Sequence, residues 1–331
     1  MYNMKIHKQL LMPFYKRFKA IVLLYPTYRY LLKYFGRFAY SKNDKEVLRS
    51  SIVLQCHIIE KGLSLKDVRP GFGVPKMNHL LDSLGEYIKK YHDEQLEMFA
   101  MSIVKAYFDF NEKCGTIDDG LKAKYENLCA HTKHYEKYDY LCGGAVHVTK
   151  EEILKAAMIP YLEFVKARHS IRHFTGEPVD EHLLHKALEM AQYTPSACNR
   201  QPWKVFVYTQ KENVLQLLTM QTGARQFLDD VGAVIIVTSS ATHFFGNEMH
   251  QLYLNGGLYS MNLLLALHAV GLGSIPLNLG ISDDKLKLIK NFANIPESEV
   301  PVLLIAVGNI PKELKVAASK RFCYTDYTIF D

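Results

Sequence analysis

The sequence predicts an α+β protein in which a mostly helical first part precedes a mixed region of helices and short strands. Three observations predict it. Apolar residues recur at helical spacing from about 45 to 135. After Gly143-Gly144 the period changes, and helices alternate with only four or five β-rich runs. The chain has 331 residues, which at roughly 150 residues per domain is two domains' worth. The boundary falls at the two glycines, so we read 1–148 as a helical N-terminal region and 149–331 as a second domain.

Taken in order, residues 1–41 hold eight basic residues, no acidic one and ten aromatics between Phe14 and Tyr40. Helical spacing follows at Ser51–Lys61, Met77–Tyr91 and Leu96–Lys113, interrupted by the rigid turn Arg69-Pro70-Gly71-Phe72-Gly73. Thr149-Lys150-Glu151-Glu152 reads as an N-cap with an acid at N3. Beyond it the spacing predicts helices at 150–166, 180–193, 211–220, 248–270 and 282–292. Strands are expected at Lys204–Tyr208, Ala233–Ser239, Ser274–Leu279 and Val302–Val307.

Composition narrows the class. Hydrophobic residues make up 48% and charged residues 22%, which excludes a disordered or fibrous chain. The formal charge of +6 is uneven: residues 1–41 carry +8, residues 42–150 hold 16 basic and 16 acidic groups, and residues 151–331 hold 16 and 18. Six scattered cysteines without zinc-like spacing fit reduced thiols and a cytoplasmic location, and no secretory leader is recognisable. Gln251 to Ser282 contains no Asp, Glu, Lys or Arg. Asn255, Gly256, Gly257, His268 and Pro276 interrupt it, so a buried helix followed by a loop and strand is preferred to a membrane span.

Two segments carry the chemistry. In Ala167-Arg168-His169-Ser170-Ile171-Arg172-His173-Phe174, residues 168, 170 and 172 are spaced by two, so an extended segment turns them the same way. Two guanidinium forks and a hydroxyl suit a phosphate or other anion, with an exposed charged strand as the plain alternative. The second segment, Thr194-Pro195-Ser196-Ala197-Cys198-Asn199-Arg200-Gln201-Pro202-Trp203, is a proline-bounded polar loop containing the single tryptophan. It offers backbone N–H groups and amides to a planar polar ring, or it simply connects a helix to a strand.

Together these segments resemble the nitroreductase family of flavoproteins, with its R-x-S-x-R/K element and later P-S-x-x-N-x-Q-P-W. The following landmarks are similar too: Asn255-Gly256-Gly257 opening a long apolar helix, Gly271-Leu272-Gly273-Ser274 at its end, the Pro276–Gly280 stretch, Val307-Gly308-Asn309, and Lys320-Arg321. The likeness covers about residues 150–325. It implies a mixed central sheet flanked by helices and FMN at the interface of a homodimer. It also implies hydride transfer through flavin N5 from NAD(P)H to a small-molecule acceptor that the sequence does not identify. Nothing in the sequence calls for a metal or a protein nucleophile.

Carried over residue by residue, the resemblance has Arg168 and Ser170 at the phosphate and ribityl end, His169 as a further cofactor-binding residue, and Arg172 toward the N1/O2 side. There its positive charge favours reduced, anionic flavin. Lys320 or Arg321 would reach the phosphate. Pro195, Ser196, Ala197 and Asn199 would come from the partner subunit, with Gln201 as a further cofactor-binding residue. Pro276, Leu277 and Asn278, read as a loop, would approach N5. Asn278 stands where many relatives have an acid, and no G-x-G-x-x-G follows a strand. A dedicated flavin oxidase or dehydrogenase of a biosynthetic intermediate, or a non-catalytic flavin protein at a membrane surface, are the rival readings.

Other features have plainer readings beside sharper ones. His57 and Glu60 share a helix face that can bind an ion or carbohydrate, or they sit at a helix end stopped by Gly62. The helical region also resembles extensions on nitroreductase-like proteins of surface-polysaccharide gene clusters. His131 and His134 read as a solvated helix face, and Cys198 as a small buried residue with a redox role as the alternative. Residues 1–41 suit either a membrane surface or an internally packed helix pair. No nucleic-acid motif accompanies their charge, so nucleic acid is not an expected partner.

Overall fold

The computed structural model describes residues 44–65, 67–132, 143–145, 159–221, 223–245, 248–314, 316 and 323–331, with 25, 28, 29 and 32. The capping box at Thr149, residues 150–158, His134, Lys320, Arg321 and nearly all of 1–41 lie outside them. Two compact units interleave along the chain. Met1–Thr149 groups with Ser196–Pro202 and Ser240–Leu252, whereas Lys150–Pro195, Trp203–Ser239 and Tyr253–Asp331 form the other.

In the first unit, four described helices start at aspartate or glycine caps. Asp44 opens α1 (Lys45–Leu63) by accepting from the N–H groups of Glu46 and Val47 at 2.9 and 3.3 Å. Gly73, at φ 67°, turns the chain into α2 (Val74–Lys90). Asp93 and Asp118 cap α3 (Glu94–Lys113) and α4 (Asp119–His131) through Leu96 N and Leu121 N. Each such cap is worth about 1 kcal/mol. The apolar spacing thus locates the helices, and the caps start α1, α2 and α3 earlier than it. Their inward faces meet in one core that includes Ile52, Ile59, Leu80, Leu84, Met101 and Ile103. Gly62 does not act as a helix stop. It lies inside α1, where any Cβ would overlap the Phe72 ring.

The remaining elements are α5 (Tyr161–Ala167), α6 (Glu181–Ala191), β1 (Trp203–Tyr208), α7 (Lys211–Gln221), β2 (Ala233–Ser240), α8 (Met249–Ala269), β3 (Leu272–Leu277), α9 (Asp283–Phe292) and β4 (Glu299–Asn309). The sheet order is β1-β2-β4-β3, with β1 antiparallel to β2 and β3 antiparallel to β4. β2 is buried along its whole length. Val234 and Ile236 pack on one face with Leu217 and Leu218 of α7 and Ile289 of α9. Ile235 and Val237 pack on the other with Leu184 of α6 and Leu263 and Leu267 of α8. This is an α+β layer arrangement, a sheet between helices.

Three boundaries differ from expectation. Of the helix expected at 150–166, the described part is α5, which starts at Tyr161 after a non-helical Ile159-Pro160. β4 starts at Glu299, three residues before the expected Val302, and carries Pro301 ahead of Leu304–Asn309, the stretch paired with β3. Pro276 lies on β3, the edge strand, which can also accommodate it. Among the described residues no helix is long and apolar enough to cross a membrane, and the uncharged stretch from Gln251 is α8 followed by β3.

Candidate functional site

Residues 168–175 form a strap over the open side of β3. α5 ends at Ala167 and Arg168 is already extended, at φ −72° and ψ 115°. Ser170 bridges Ser274 in parallel, Ile171 N donates to Ser274 O at 3.0 Å, and Thr175 N donates to Asn309 O at 3.1 Å. Ile171 and Phe174 are buried beneath it. Gly308 is what lets the Phe174 ring so close, since a Cβ there would lie 2.7 Å from it.

The expected alternation holds from Ser170 to Arg172, with Ile171 inward and its neighbours half-buried and exposed. It ends at Phe174, which is buried although it shares the parity of Arg172. A single bridge enforces the pleat only locally. Arg172 folds back, its Nη1 donating to Ser170 O at 3.4 Å. Arg168 and His169 are half-buried. The ring of His268, in the last turn of α8, lies with its centre 4.9 Å from that of Phe164, the two planes tilted by 40°. Burial, and then the positive charges of Arg168 and His169, hold its imidazole below the ordinary value. The strap is therefore an electropositive edge with guanidinium, imidazole and hydroxyl donors.

Pro276 and Leu277, in a strand by the residue pattern but in a loop by the family likeness, are the last two residues of β3 and pair with Ile305 and Leu304. The loop begins one residue later. Asn278 is exposed, and its Oδ1 accepts from Gly280 N at 3.0 Å. The Asn278 carbonyl accepts from Nε2 of buried Gln221 at 2.9 Å, while Gly223 N donates to Gln221 Oε1. Gln221 thus ties the end of α7 to the exit of β3. Only its polar identity on an amphipathic helix hinted at this.

The third group is the loop after α6. Pro195 is exposed, Ser196, Ala197, Cys198 and Asn199 are half-buried, and Gln201 is exposed. Ala197–Asn199 make a 3₁₀ turn where a wholly irregular loop was expected. Cys198, Asn199 and Gln201 all have left-handed φ, at 52°, 53° and 47°. Asn tolerates that region; Cys and Gln do not readily. Gln201 N donates to Ser196 Oγ at 3.0 Å, closing the loop.

Between the left-handed residues stands Arg200, which sequence reasoning passed over. It is 1% exposed. Its Nη1 and Nη2 meet Glu248 Oε2 and Oε1 at 3.0 and 2.7 Å, Nη1 also reaches His243 O at 2.6 Å, and Nε reaches Ala197 O at 3.2 Å. The fork lies 5.0 Å from the Phe244 ring centre. Those hydrogen bonds from Arg200 hold the Glu248 carboxyl below the usual carboxylate range. A bidentate charged pair this buried fixes orientation as well as energy.

Elsewhere, Glu60 accepts from Gly144 N at 3.3 Å, and burial raises its carboxyl. No group of His, Cys, Asp and Glu suited to a metal ion occurs among the described residues. His131 is exposed and its Nδ1 lies 2.7 Å from Asn127 O.

Residues 165–220 and 213–309 match the nitroreductase family model. The match runs through residues 165–309, which are similar to that family. A relative from Methanothermobacter thermautotrophicus, provisionally named NADH dehydrogenase/NAD(P)H nitroreductase, is 28% identical over 154 residues, covering 46% of this chain and 79% of its own. An NADH dehydrogenase of Thermus thermophilus is 29% identical over 186 residues, covering 46% and 89%. A solved FMN-dependent nitroreductase of Clostridium difficile is 22% identical with a TM-score of 0.45, covering 51% of this chain and 99% of that one. The residues matched by the family model include the strap, the β3 exit and the loop.

Proposed function

We propose that this protein is an FMN-dependent oxidoreductase of the nitroreductase type, acting as a homodimer with NAD(P)H as electron donor and a small molecule as acceptor. One observation carries the reading. The strap bearing Arg168, Ser170 and Arg172 is bonded to Ser274, and Asn278 leaves the same strand four residues on. At about 3.3 Å per residue that separation is roughly 13 Å, the scale of a molecule with a phosphate at one end and a planar ring at the other. The donor set fits FMN: guanidinium forks and a hydroxyl for a phosphate, and an exposed backbone turn for a ring edge. When bound, FMN supplies hydride transfer through its N5.

The chain's own groups bind and orient. Arg168, His169 and Ser170 hold the anionic end, and Arg172 places positive charge where reduced flavin is negative. Asn278, held by Gln221, presents backbone to the ring. Ser196, Ala197, Asn199 and Gln201 cover the flavin of the partner subunit. A second copy of this chain covers the exposed stripe of Tyr253, Leu254, Leu258 and Met261 on α8, whose spacing forms one apolar face. The names of the relatives, as dehydrogenases and nitroreductases, agree with this activity.

The test is spectroscopic. Purified protein mixed with FMN should retain flavin absorbance through gel filtration, and NAD(P)H should bleach it. Protein that stays colourless after FMN addition overturns the reading. Met261→Asp should halve the mass measured by sedimentation; an unchanged mass removes α8 from the dimer contact.

A further inference from the structure

The loop at Ser196–Gln201 is costly to form. Three of its four residues from Cys198 to Gln201 are non-glycine residues at left-handed φ, and such positions persist only where the surroundings over-determine them. The over-determination comes from Arg200, the one residue among them in the right-handed region, whose guanidinium is spent on Glu248, His243 O and Ala197 O. The His243 carbonyl is shared. Ser50 Oγ, buried on α1, donates to it at 3.4 Å. α1 also packs against both Ala197–Asn199 and Ala241–His243, and all these segments belong to one compact unit with the helical region.

We propose that the helical region is an intramolecular clamp on the Ser196–Gln201 loop, with Arg200 as its positioning residue, and that it shapes the loop before any flavin arrives. The proposal rests on the reading of that loop as part of an FMN site. The helical region then has a role without binding a ligand of its own. α1 backs the turn at Ala197–Asn199, Ser50 and Arg200 converge on one carbonyl, and Glu248 neutralises the buried guanidinium. An unclamped chain would pass to ordinary right-handed backbone here, and the cofactor would have to restore the strained form at the expense of affinity.

The experiment uses the full chain and two readouts: amide exchange of residues 196–202 in the FMN-free protein, and the dissociation constant for FMN from fluorescence quenching. Arg200→Met should speed exchange in the loop at least tenfold and weaken FMN by a similar factor. Arg200→Lys, which keeps the charge and loses the fork, should recover only part of either. Ser50→Ala should speed loop exchange about threefold, and its effect should not add to that of Arg200→Lys, because both act through His243 O. Should Arg200→Met fail to fold, Glu248→Gln replaces it, with the same direction expected. Unchanged loop exchange in a folded Arg200 or Glu248 variant overturns the clamp, as does strict additivity with Ser50→Ala. Faster loop exchange in a protein that never binds FMN upholds the clamp and rejects the flavin reading instead.

Discussion

The strap at 168–175 and the loop at 196–202 are both irregular, both polar and both expected to meet the same ligand, yet different forces hold them. The strap is secured by its backbone, through the bonds from Ile171 and Thr175 to the sheet, and by two buried apolar side chains. Its polar side chains take little part in its own folding. The loop is secured by side chains, chiefly Arg200 and Ser196, against a backbone that three residues hold in unfavourable conformations. A segment of the first kind can change its ligand-facing residues freely, whereas in the second kind the same residues set both shape and binding.

The sharpest contrast lies within the strap. Phe174→Ala removes a ring that is 2% exposed and should cost about 3–5 kcal/mol of global stability. Arg172→Ala, two residues away and exposed, should change it by less than about 0.5 kcal/mol. Denaturant titration of both variants decides the matter; a comparable loss in Arg172→Ala would show that the strap is held by its polar side chains after all.

Gly308→Ala should come next, at about 1–3 kcal/mol, because the new methyl meets the Phe174 ring. Combining it with Phe174→Leu should cost less than the two single changes together. Additive losses would place the strain elsewhere on β4.

A comparable effect is expected at Gln221, which stands between the two modes, a buried side chain holding a backbone turn. Gln221→Ala leaves the Asn278 carbonyl without this donor and should cost about 1–3 kcal/mol. Faster amide exchange should be confined to residues 278–280 and 223. Spread of the effect through α7 would mark Gln221 as an ordinary core residue of that helix.

The same contrast explains what could be read from the amino-acid order. Helices and strands were legible because burial imposes a period: Val234, Ile236 and their neighbours on β2, or the α1 to α3 stripes, repeat whatever lies around them. The strap's anchoring by Ile171 was legible for the same reason, up to the point where the bridge to Ser274 ends. At Pro276 two readings disagreed: the residue pattern put it inside the strand Ser274–Leu279 and the family likeness put it in a loop, and the strand is what forms, at the edge of the sheet. The partnership of Arg200 with Glu248 was invisible, because a separation of 48 positions leaves no periodic trace. Three left-handed residues without glycine gave no signal either, as their conformation is imposed by contacts distant in sequence.

The smallest expected effect is a pH dependence that should belong to the loop and not to the strap. Glu248 is held below its ordinary value of 4.5, first by its hydrogen bonds from Arg200 and then by that from Phe245 N, working against partial burial. A lowered folded value means that the ionised carboxylate stabilises the fold above the unfolded pKa. That contribution is present in full above about pH 4.5 and is lost as pH falls through the lower, folded value. Because the carboxylate is 29% exposed, solvent and salt screen part of it. Loop exchange, corrected for intrinsic chemical rates, should therefore be level from pH 7 to pH 5 and quicken below pH 4.5, less steeply in high salt. Glu248→Gln should be faster throughout and flat across the acid range, while exchange at Ile171 and Thr175 should follow the same curve in both proteins. An acid slope that survives in Glu248→Gln would assign it to another carboxyl and take the charge out of the clamp.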